Sequence, residues 1–223
     1  MNSTHEGTHT GKDPYRHFGR GLILLDWMHR YLLPRAGRDV EKILRDRNLS
    51  RVLDVACGTG YTACRLARGG FAAVGLDLSP SMLRHAAAKR EQGNCAFLIA
   101  NAGWMPFNKA FDAAAISLAL HEISAADREQ VWAEMTRVVR PGGLLVVLDF
   151  TTPGRSLYCR LIAAAIEWVE KGALKIDPPH YINSALFRDG GGLRTWLEER
   201  DAEIVGESSY LGGNVGLFAV AVG

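Results

Sequence analysis

Short apolar segments alternate with amphipathic segments along most of this chain. Five apolar segments rich in small or branched residues are typical of buried β-strands, and they cover residues 52–56, 71–76, 95–100, 111–118 and 144–149. Between them, helical spacing is found over residues 61–68, from 79 to about 90, and over 125–139. Strands separated by helices in this way favour a parallel sheet that is covered on both faces.

The two ends of the chain add further elements. Helices are predicted over residues 15–33 and 39–47, with Pro34 as a break between them. After the fifth strand the pattern predicts, in order, a helix over 156–171, an irregular segment over 176–192, a helix over 193–200, and antiparallel strands over 203–209 and 215–222. We therefore expect an α/β fold, with a Rossmann-like, doubly wound, seven-stranded sheet that is mostly parallel and ends in an antiparallel strand.

We expect one domain with a short tail. Residues 1–14 are polar, which predicts a disordered tail, and residues 15–223 contain no repeat or linker. The N-terminal helices, within residues 15–50, and the segment 151–192 then stand as insertions before the first strand and after the fifth.

Charge and composition exclude some partners. The net charge of +2 over 223 residues is too small to favour nucleic acid or an anionic membrane. No apolar run approaches the roughly 20 residues of a membrane-spanning helix, and the first residues lack the apolar core of a signal peptide. The four cysteines show no metal-binding spacing, so we expect reduced thiols, a cytoplasmic protein and no metal site.

A glycine turn after the first strand carries the strongest functional signal. Gly58 and Gly60 lack side chains where a ligand would lie against the backbone, and the next helix directs its N–H groups toward that position. Asp77 ends the second strand, where a carboxylate can accept hydrogen bonds from ribose hydroxyls. This layout also fits a dinucleotide site, and strand-end acids such as Asp54 and Asp77 also serve as ordinary helix caps.

Asp54 favours a different nucleotide. S-adenosylmethionine has a cationic amino-acid tail and no pyrophosphate, so a carboxylate beside the turn attracts it and repels a dinucleotide. No Tyr-x-x-x-Lys pair is present to indicate a short-chain dehydrogenase.

The segment Val52-Leu-Asp-Val-Ala-Cys-Gly-Thr-Gly60 resembles motif I of the class I S-adenosylmethionine-dependent methyltransferases. Residues 75–83 resemble the ribose-binding segment of that class, and residues 101–107 resemble the loop beside the adenine. The N-terminal aromatic helix and residues 181–187 and 212–216 resemble the ubiquinone/menaquinone C-methyltransferases and their small-molecule relatives.

The resemblance implies a binding site for S-adenosyl-L-methionine. Its expected residues are Asp54, Ala56, Gly58, Gly60, Asp77, Leu78, Met82, Asn101, Ala102 and Ser117. Two of these depart from the usual motif, since Ala56 replaces a glycine and Asn101 replaces an acid. Met82 and Trp104 are candidate walls of the adenine pocket, although core packing explains such apolar residues equally well.

His121 is the candidate catalytic residue. It follows the fourth strand at the edge where ligands bind in open α/β sheets, and it fits either a general base or a structural histidine. Asp149 fits either a substrate-facing acid or a solvated strand end. Asp177-Pro-Pro-His-Tyr181 is similar to a motif of nucleic-acid amino-methyltransferases, but it follows the wrong strand and is interpreted as a rigid turn in a substrate lid formed by residues 151–192.

The predicted function is methyl transfer to a small, apolar or aromatic molecule. Tyr15, Phe18, His121 and the 151–192 segment would enclose this acceptor. The apolar face of residues 157–169 fits packing against the domain, a wall of the acceptor pocket or, at most, a transient membrane contact. Three alternatives stay open: an NAD-dependent oxidoreductase, a non-catalytic S-adenosylmethionine-binding module, and a nucleic-acid or protein methyltransferase, which the near-neutral charge disfavours. The oligomeric state is not predicted.

Overall fold

Alternate residues of the central strands enter two separate hydrophobic cores. The computed structural model describes residues 33–88, 95–173 and 178–223. In β1 (Arg51–Val55), Leu53 and Val55 face one core and Val52 faces the other. Because side chains alternate along a strand, a sheet buried in this way must be covered on both faces.

The strands form one seven-stranded sheet in the order β3-β2-β1-β4-β5-β7-β6. The remaining strands are β2 (Ala72–Asp77), β3 (Cys95–Ile99), β4 (Phe111–Ser117), β5 (Val139–Phe150), β6 (Ile204–Tyr210) and β7 (Val215–Ala221). The first five pair in parallel, whereas β7 is antiparallel to both β5 and β6. The predicted fold class is therefore confirmed.

Helices cover the two faces of this sheet. They are α1 (Pro34–Asp46), α2 (Tyr61–Arg68), α3 (Pro80–Ala88), α4 (Ala125–Val138), α5 (Leu157–Ala173), α6 (Pro178–Asp189) and α7 (Gly192–Glu198). Residues of α1 and α2 pack into one core, and residues of α4, α6 and α7 pack into the other. Within the described ranges, no helix is both long enough and apolar enough to cross a membrane.

Three predictions of local structure are wrong. The helix predicted over residues 39–47 begins earlier, at Pro34, since proline is well tolerated in a first helical turn. The segment predicted as irregular over 176–192 contains α6, which begins at Pro178 and Pro179 for the same reason. β5 begins at Val139, five residues before the predicted strand over 144–149, because Val139 pairs with Phe111 before the register shifts.

The predicted tail and N-terminal helix, up to residue 32, lie outside the described residues. The division of the chain into a tail and a domain that begins at residue 15 thus stays a prediction.

Candidate active site

The turn after β1 adopts left-handed backbone conformations at alternate positions. Ala56, Gly58 and Gly60 have φ angles of 50°, 51° and 72°. Glycine adopts this region without strain, whereas alanine adopts it at a cost, so Ala56 is the strained member of the set. Gly60 is the residue that immediately precedes α2, and its N–H donates to the Cys57 carbonyl at 2.8 Å.

Asp77 connects this turn to the loop after β2. Its Oδ2 accepts a hydrogen bond from Gly58 N at 2.7 Å, and its Oδ1 accepts one from Ser79 N at 2.8 Å. β1 and β2 are adjacent and parallel, so their carboxyl ends meet at the same edge of the sheet. The carboxylate predicted from the second strand therefore lies directly against the predicted glycine turn.

Asp54 is buried beneath the same turn. Asp54 is only 2% exposed, and its Oδ2 accepts a hydrogen bond from Ala63 N at 2.9 Å. Burial raises the pKa of Asp54 to about 7; the bond from Ala63 opposes this rise and the charge of Asp77 adds to it. Asp54 thus caps α2, which is the alternative role that the sequence predicts for strand-end acids. Its anionic form is unfavourable unless a cation lies nearby.

The two glycines of the turn have different surroundings. A Cβ atom on Gly58 would meet nothing within 4 Å, so the backbone there borders open space. A Cβ on Gly60 would lie 2.7 Å from Ala86 Cβ and 2.8 Å from Phe97 Cζ. Space for a ligand is therefore present at Gly58, whereas glycine at position 60 lets α3 and β3 approach the turn.

The residues expected around an adenine differ in their burial and in their local hydrogen bonds. Leu78 is exposed, and Met82 is buried with its N–H donating to Ser79 Oγ at 3.2 Å. Asn101 Oδ1 accepts a hydrogen bond from Gly103 N at 2.8 Å, which is the local turn contact of an ordinary loop asparagine. Ala102 is half-buried beside it, and Trp104 is 70% exposed.

Ser117 lies at the carboxyl end of β4. It lines a small cavity of about 20 Å³ together with Tyr61 and Leu148, between α1 and the start of α2. Ser117 thus shares the edge of the sheet with the glycine turn.

His121 is held by the end of β5. It lies in a short 3₁₀ turn, Leu120–Glu122, and is only 3% exposed. Its Nδ1 lies 2.6 Å from Asp149 Oδ1, and its backbone N–H donates to Asp149 Oδ2 at 3.2 Å. Asp149 is fully buried, so its interpretation as a solvated strand end is wrong: β5 is an interior strand, paired with both β4 and β7.

Opposing effects act on the pKa of His121. Burial alone would lower it, but the charge and hydrogen bond of Asp149, with the charges of Glu122 and Glu170, raise the pKa to about 9. Asp149 also fixes Nδ1 as the donor, which leaves Nε2 directed toward Glu122, 4.0 Å from its Oε1.

Sequence reasoning missed His180, which the structure brings to His121. The two rings are 5.9 Å apart and nearly perpendicular. His180 Nδ1 lies 3.7 Å from Glu122 Oε2, and its Nε2 lies 3.3 Å from Glu170 Oε2. His180 lies in the first turn of α6. The interpretation of residues 177–181 as a rigid turn therefore did not identify His180 as a site residue.

α6 is fixed against α5 by contacts to Glu167. Tyr181 donates to Glu167 Oε1 at 2.7 Å, and Arg188 Nη2 donates to Glu167 Oε2 at 2.6 Å. Asn183 Nδ2 also donates to the Glu122 carbonyl at 2.9 Å. These bonds set the position of His180 relative to the chain after β4.

Comparison with known proteins agrees with this geometry. The family model of the "Methyltransferase domain" matches residues 52–143. Demethylmenaquinone methyltransferase of Renibacterium salmoninarum is 32% identical over 176 residues, which cover 75% of this chain and 72% of that protein. This chain belongs to the S-adenosylmethionine-dependent methyltransferase family. S-adenosylmethionine is accordingly its methyl donor, and the predicted family and cofactor are confirmed.

A second relative of this chain is also named as a quinone methyltransferase. The ubiquinone/menaquinone biosynthesis C-methyltransferase of Geobacter sulfurreducens is 36% identical over 132 residues, which cover 56% of this chain and about half, 51%, of that protein. The match to these relatives confirms the predicted resemblance to the quinone branch.

Solved structures confirm the fold. An O-methyltransferase family protein of Burkholderia thailandensis has a TM-score of 0.66 at 18% identity, over 93% of this chain and 61% of that one. An S-adenosylmethionine-dependent methyltransferase of Aquifex aeolicus has a TM-score of 0.59 at 18% identity, over 95% of this chain and 100% of that one.

The two glycines should respond differently to the same substitution. Both have positive φ, so alanine introduces comparable backbone strain at either position, but only Gly60→Ala places a methyl group against Ala86 and Phe97. We expect Gly60→Ala to lose about 1–3 kcal/mol more unfolding free energy than Gly58→Ala, measured by urea denaturation. Equal losses would contradict the assignment of Gly60 to packing.

Proposed function

We propose that this methyltransferase transfers the methyl group of S-adenosylmethionine to a small apolar or aromatic acceptor. The observation that carries the proposal is a set of exposed apolar side chains on the two helices beside His121. Its members are Leu157, Tyr158, Leu161, Trp168, Ile182 and Leu186. Trp168 alone is 78% exposed. Large apolar groups concentrated beside a polar site are characteristic of surfaces that meet an apolar ligand.

Simple packing explains only part of the α5 face, because Ile166 packs against a core whereas the six side chains named above are exposed among the described residues. The acceptor interpretation has a structural link to the site, since Glu170 of α5 lies 3.3 Å from His180. The name of one relative, demethylmenaquinone methyltransferase, points the same way, because it names a quinone. We therefore propose a quinone-type ring as the acceptor.

We propose that the glycine turn and its two acids hold the cofactor. Gly58 borders open space, so the backbone there can approach a ligand closely. Asp54 pays a burial cost when ionised, which a cationic amino-acid tail would relieve. Asp77 lies between the turn and the loop after β2, where ribose hydroxyls would meet its carboxylate.

The remaining predicted residues take supporting places in this proposal. Leu78, Met82, Asn101 and Ala102 would border the adenine, and Ala56 and Ser117 would border the methionine end. His121 would contact the acceptor. A methyl transfer needs chiefly alignment of the sulfonium methyl with the nucleophile, so the enclosing walls contribute as much as any proton acceptor.

The charge of Asp77 should matter for cofactor affinity. We expect Asp77→Asn to weaken S-adenosylhomocysteine binding roughly 10- to 100-fold, because a hydrogen bond to a charged group contributes about 1.5–3 kcal/mol. Isothermal titration calorimetry measures this. Asp46→Asn is the control, since that carboxylate pairs with Lys42 on the exposed face of α1. An unchanged affinity in Asp77→Asn would remove Asp77 from the cofactor site.

Cofactor affinity should also depend on pH through Asp54. Its pKa of about 7 means that the carboxyl is neutral below pH 7 and anionic above it. The ligand's ammonium group prefers the anion, so affinity should rise between pH 6 and pH 8. Of its titratable neighbours, Asp77 disfavours ionisation of Asp54, and Cys57 stays a neutral thiol because burial raises its pKa.

The matched variant for this experiment is Asp54→Asn, which cannot ionise. Calorimetric affinities at three pH values should show a slope in the wild type and a much smaller slope in the variant. The same slope in both proteins would show that another group controls the pH dependence.

The acceptor class is tested by methyl transfer from labelled S-adenosylmethionine. We expect a demethylated quinol to accept the label and a charged, hydrophilic amine of similar size to accept none. Preferential labelling of the amine would contradict the proposed acceptor. Binding of S-adenosylhomocysteine, measured separately, shows whether a failure lies with the acceptor or with the cofactor site.

A further inference from the structure

Two histidines and three carboxylates meet where the chain after β4 contacts α5 and α6. We call His121, Glu122, His180, Asp149 and Glu170 the two-histidine cluster. They come from four different elements, namely the 3₁₀ turn, β5, α5 and α6. His121 and Asp149 are buried, whereas Glu122 and His180 are half-buried and reachable from solvent. The cluster therefore has a buried part, His121 and Asp149, and a part that solvent reaches, Glu122 and His180.

Each imidazole in the cluster has one nitrogen beside its own carboxylate. His121 Nδ1 lies 2.6 Å from Asp149 Oδ1, and His180 Nε2 lies 3.3 Å from Glu170 Oε2. A carboxylate behind one ring nitrogen fixes the tautomer and makes the other nitrogen a better ligand. This arrangement recurs behind metal-binding histidines in proteins.

The other nitrogen of each ring faces Glu122. His121 Nε2 lies 4.0 Å from Glu122 Oε1, and His180 Nδ1 lies 3.7 Å from Glu122 Oε2. One nitrogen of each histidine and one oxygen of Glu122 all lie within 4.8 Å of one another. Ligand atoms about 2.1 Å from a tetrahedral zinc ion are separated by roughly 3.4 Å, so a contraction of at most about 1.4 Å would let all three bind one ion.

The charge of the cluster favours a cation. Three carboxylates surround two imidazoles, so the group keeps a net negative charge even when both rings are protonated. Arg128 interacts electrostatically with Asp149, but its guanidinium donates hydrogen bonds to the carbonyls of Leu120 and Ile123. A divalent ion bound in place of the ring protons would offset negative charge beside the buried carboxylate of Asp149.

We propose that His121 Nε2, His180 Nδ1 and the Glu122 carboxylate bind one divalent transition-metal ion of the zinc class. Two imidazoles and one carboxylate suit such ions better than magnesium or calcium, which prefer oxygen ligands. Three protein ligands leave a fourth coordination position open, as in catalytic zinc sites. An oxygen of the acceptor could occupy it. In the metal-bound state His121 acts as a ligand and not as a base.

Zinc binding tests the inference without any methyl-transfer assay. The full-length protein, first treated with a chelator, is titrated with Zn²⁺ in a calorimeter in the absence of cofactor. We expect one tight ion per chain and at least a 100-fold loss of affinity in His180→Asn and in Glu122→Gln. Asp149→Asn, which removes the carboxylate behind His121, should lose 10- to 100-fold.

Cobalt provides a spectroscopic check on the same variants. Co²⁺ bound through two imidazoles should give visible absorption bands that disappear in His180→Asn. His85→Asn, a histidine of α3 outside the cluster, is the matched control and should keep both the bands and the zinc affinity. Circular dichroism establishes that each variant is folded. No zinc binding by the wild type, or equal binding by the wild type and His180→Asn, would overturn the proposal.

Discussion

The parallel alignment of β2, β1, β4 and β5 is the constraint on which the rest of the structure depends. Because these four strands run in the same direction, their carboxyl ends lie along one edge of the sheet. Asp77 and Ser117 are the last residues of β2 and β4, and the glycine turn and His121 come shortly after β1 and β4. Residues far apart in the sequence therefore share one edge, and the interior position of β5 buries Asp149 where it can hold His121.

Two acids at this edge perform different physical tasks. Asp77 is half-buried and accepts two backbone hydrogen bonds, which order the turn and the following loop without a large desolvation cost. Asp54 is buried with a single backbone donor, and its pKa rises accordingly. The site thus pairs an acid that organises the backbone with an acid whose ionisation is opposed by burial. This contrast is well suited to a methyl donor that has a neutral ribose at one end and a cationic tail at the other.

Much of the fold could be predicted because its signals are local. The strands of the sheet are short apolar segments with turns at their ends, and α2 was predicted with the bounds Tyr61–Arg68 that the structure shows. The position of Asp77 near the glycine turn could also be expected, because both lie at the ends of strands in one βαβ unit; its hydrogen bond from Gly58 could not. The two-histidine cluster could not be predicted in this way, since His121 and His180 come together through the packing of α6 against both α5 and the 3₁₀ turn. Pro178 and Pro179 suggested a turn, although they begin a helix. The packing role of Gly60 likewise depends on Ala86 and Phe97, which its own sequence context does not reveal.

The central claim is that the methyl donor lies across the open backbone at Gly58, between Asp54 and Asp77, with its sulfur directed toward the two-histidine cluster. A crystal structure of the protein with S-adenosylhomocysteine tests this most directly. The account predicts the ribose hydroxyls at hydrogen-bond distance from Asp77, the amino-acid tail beside Asp54, and the sulfur facing the side of the sheet edge that carries His121. A ligand bound elsewhere, or one with its ribose distant from Asp77, would contradict it.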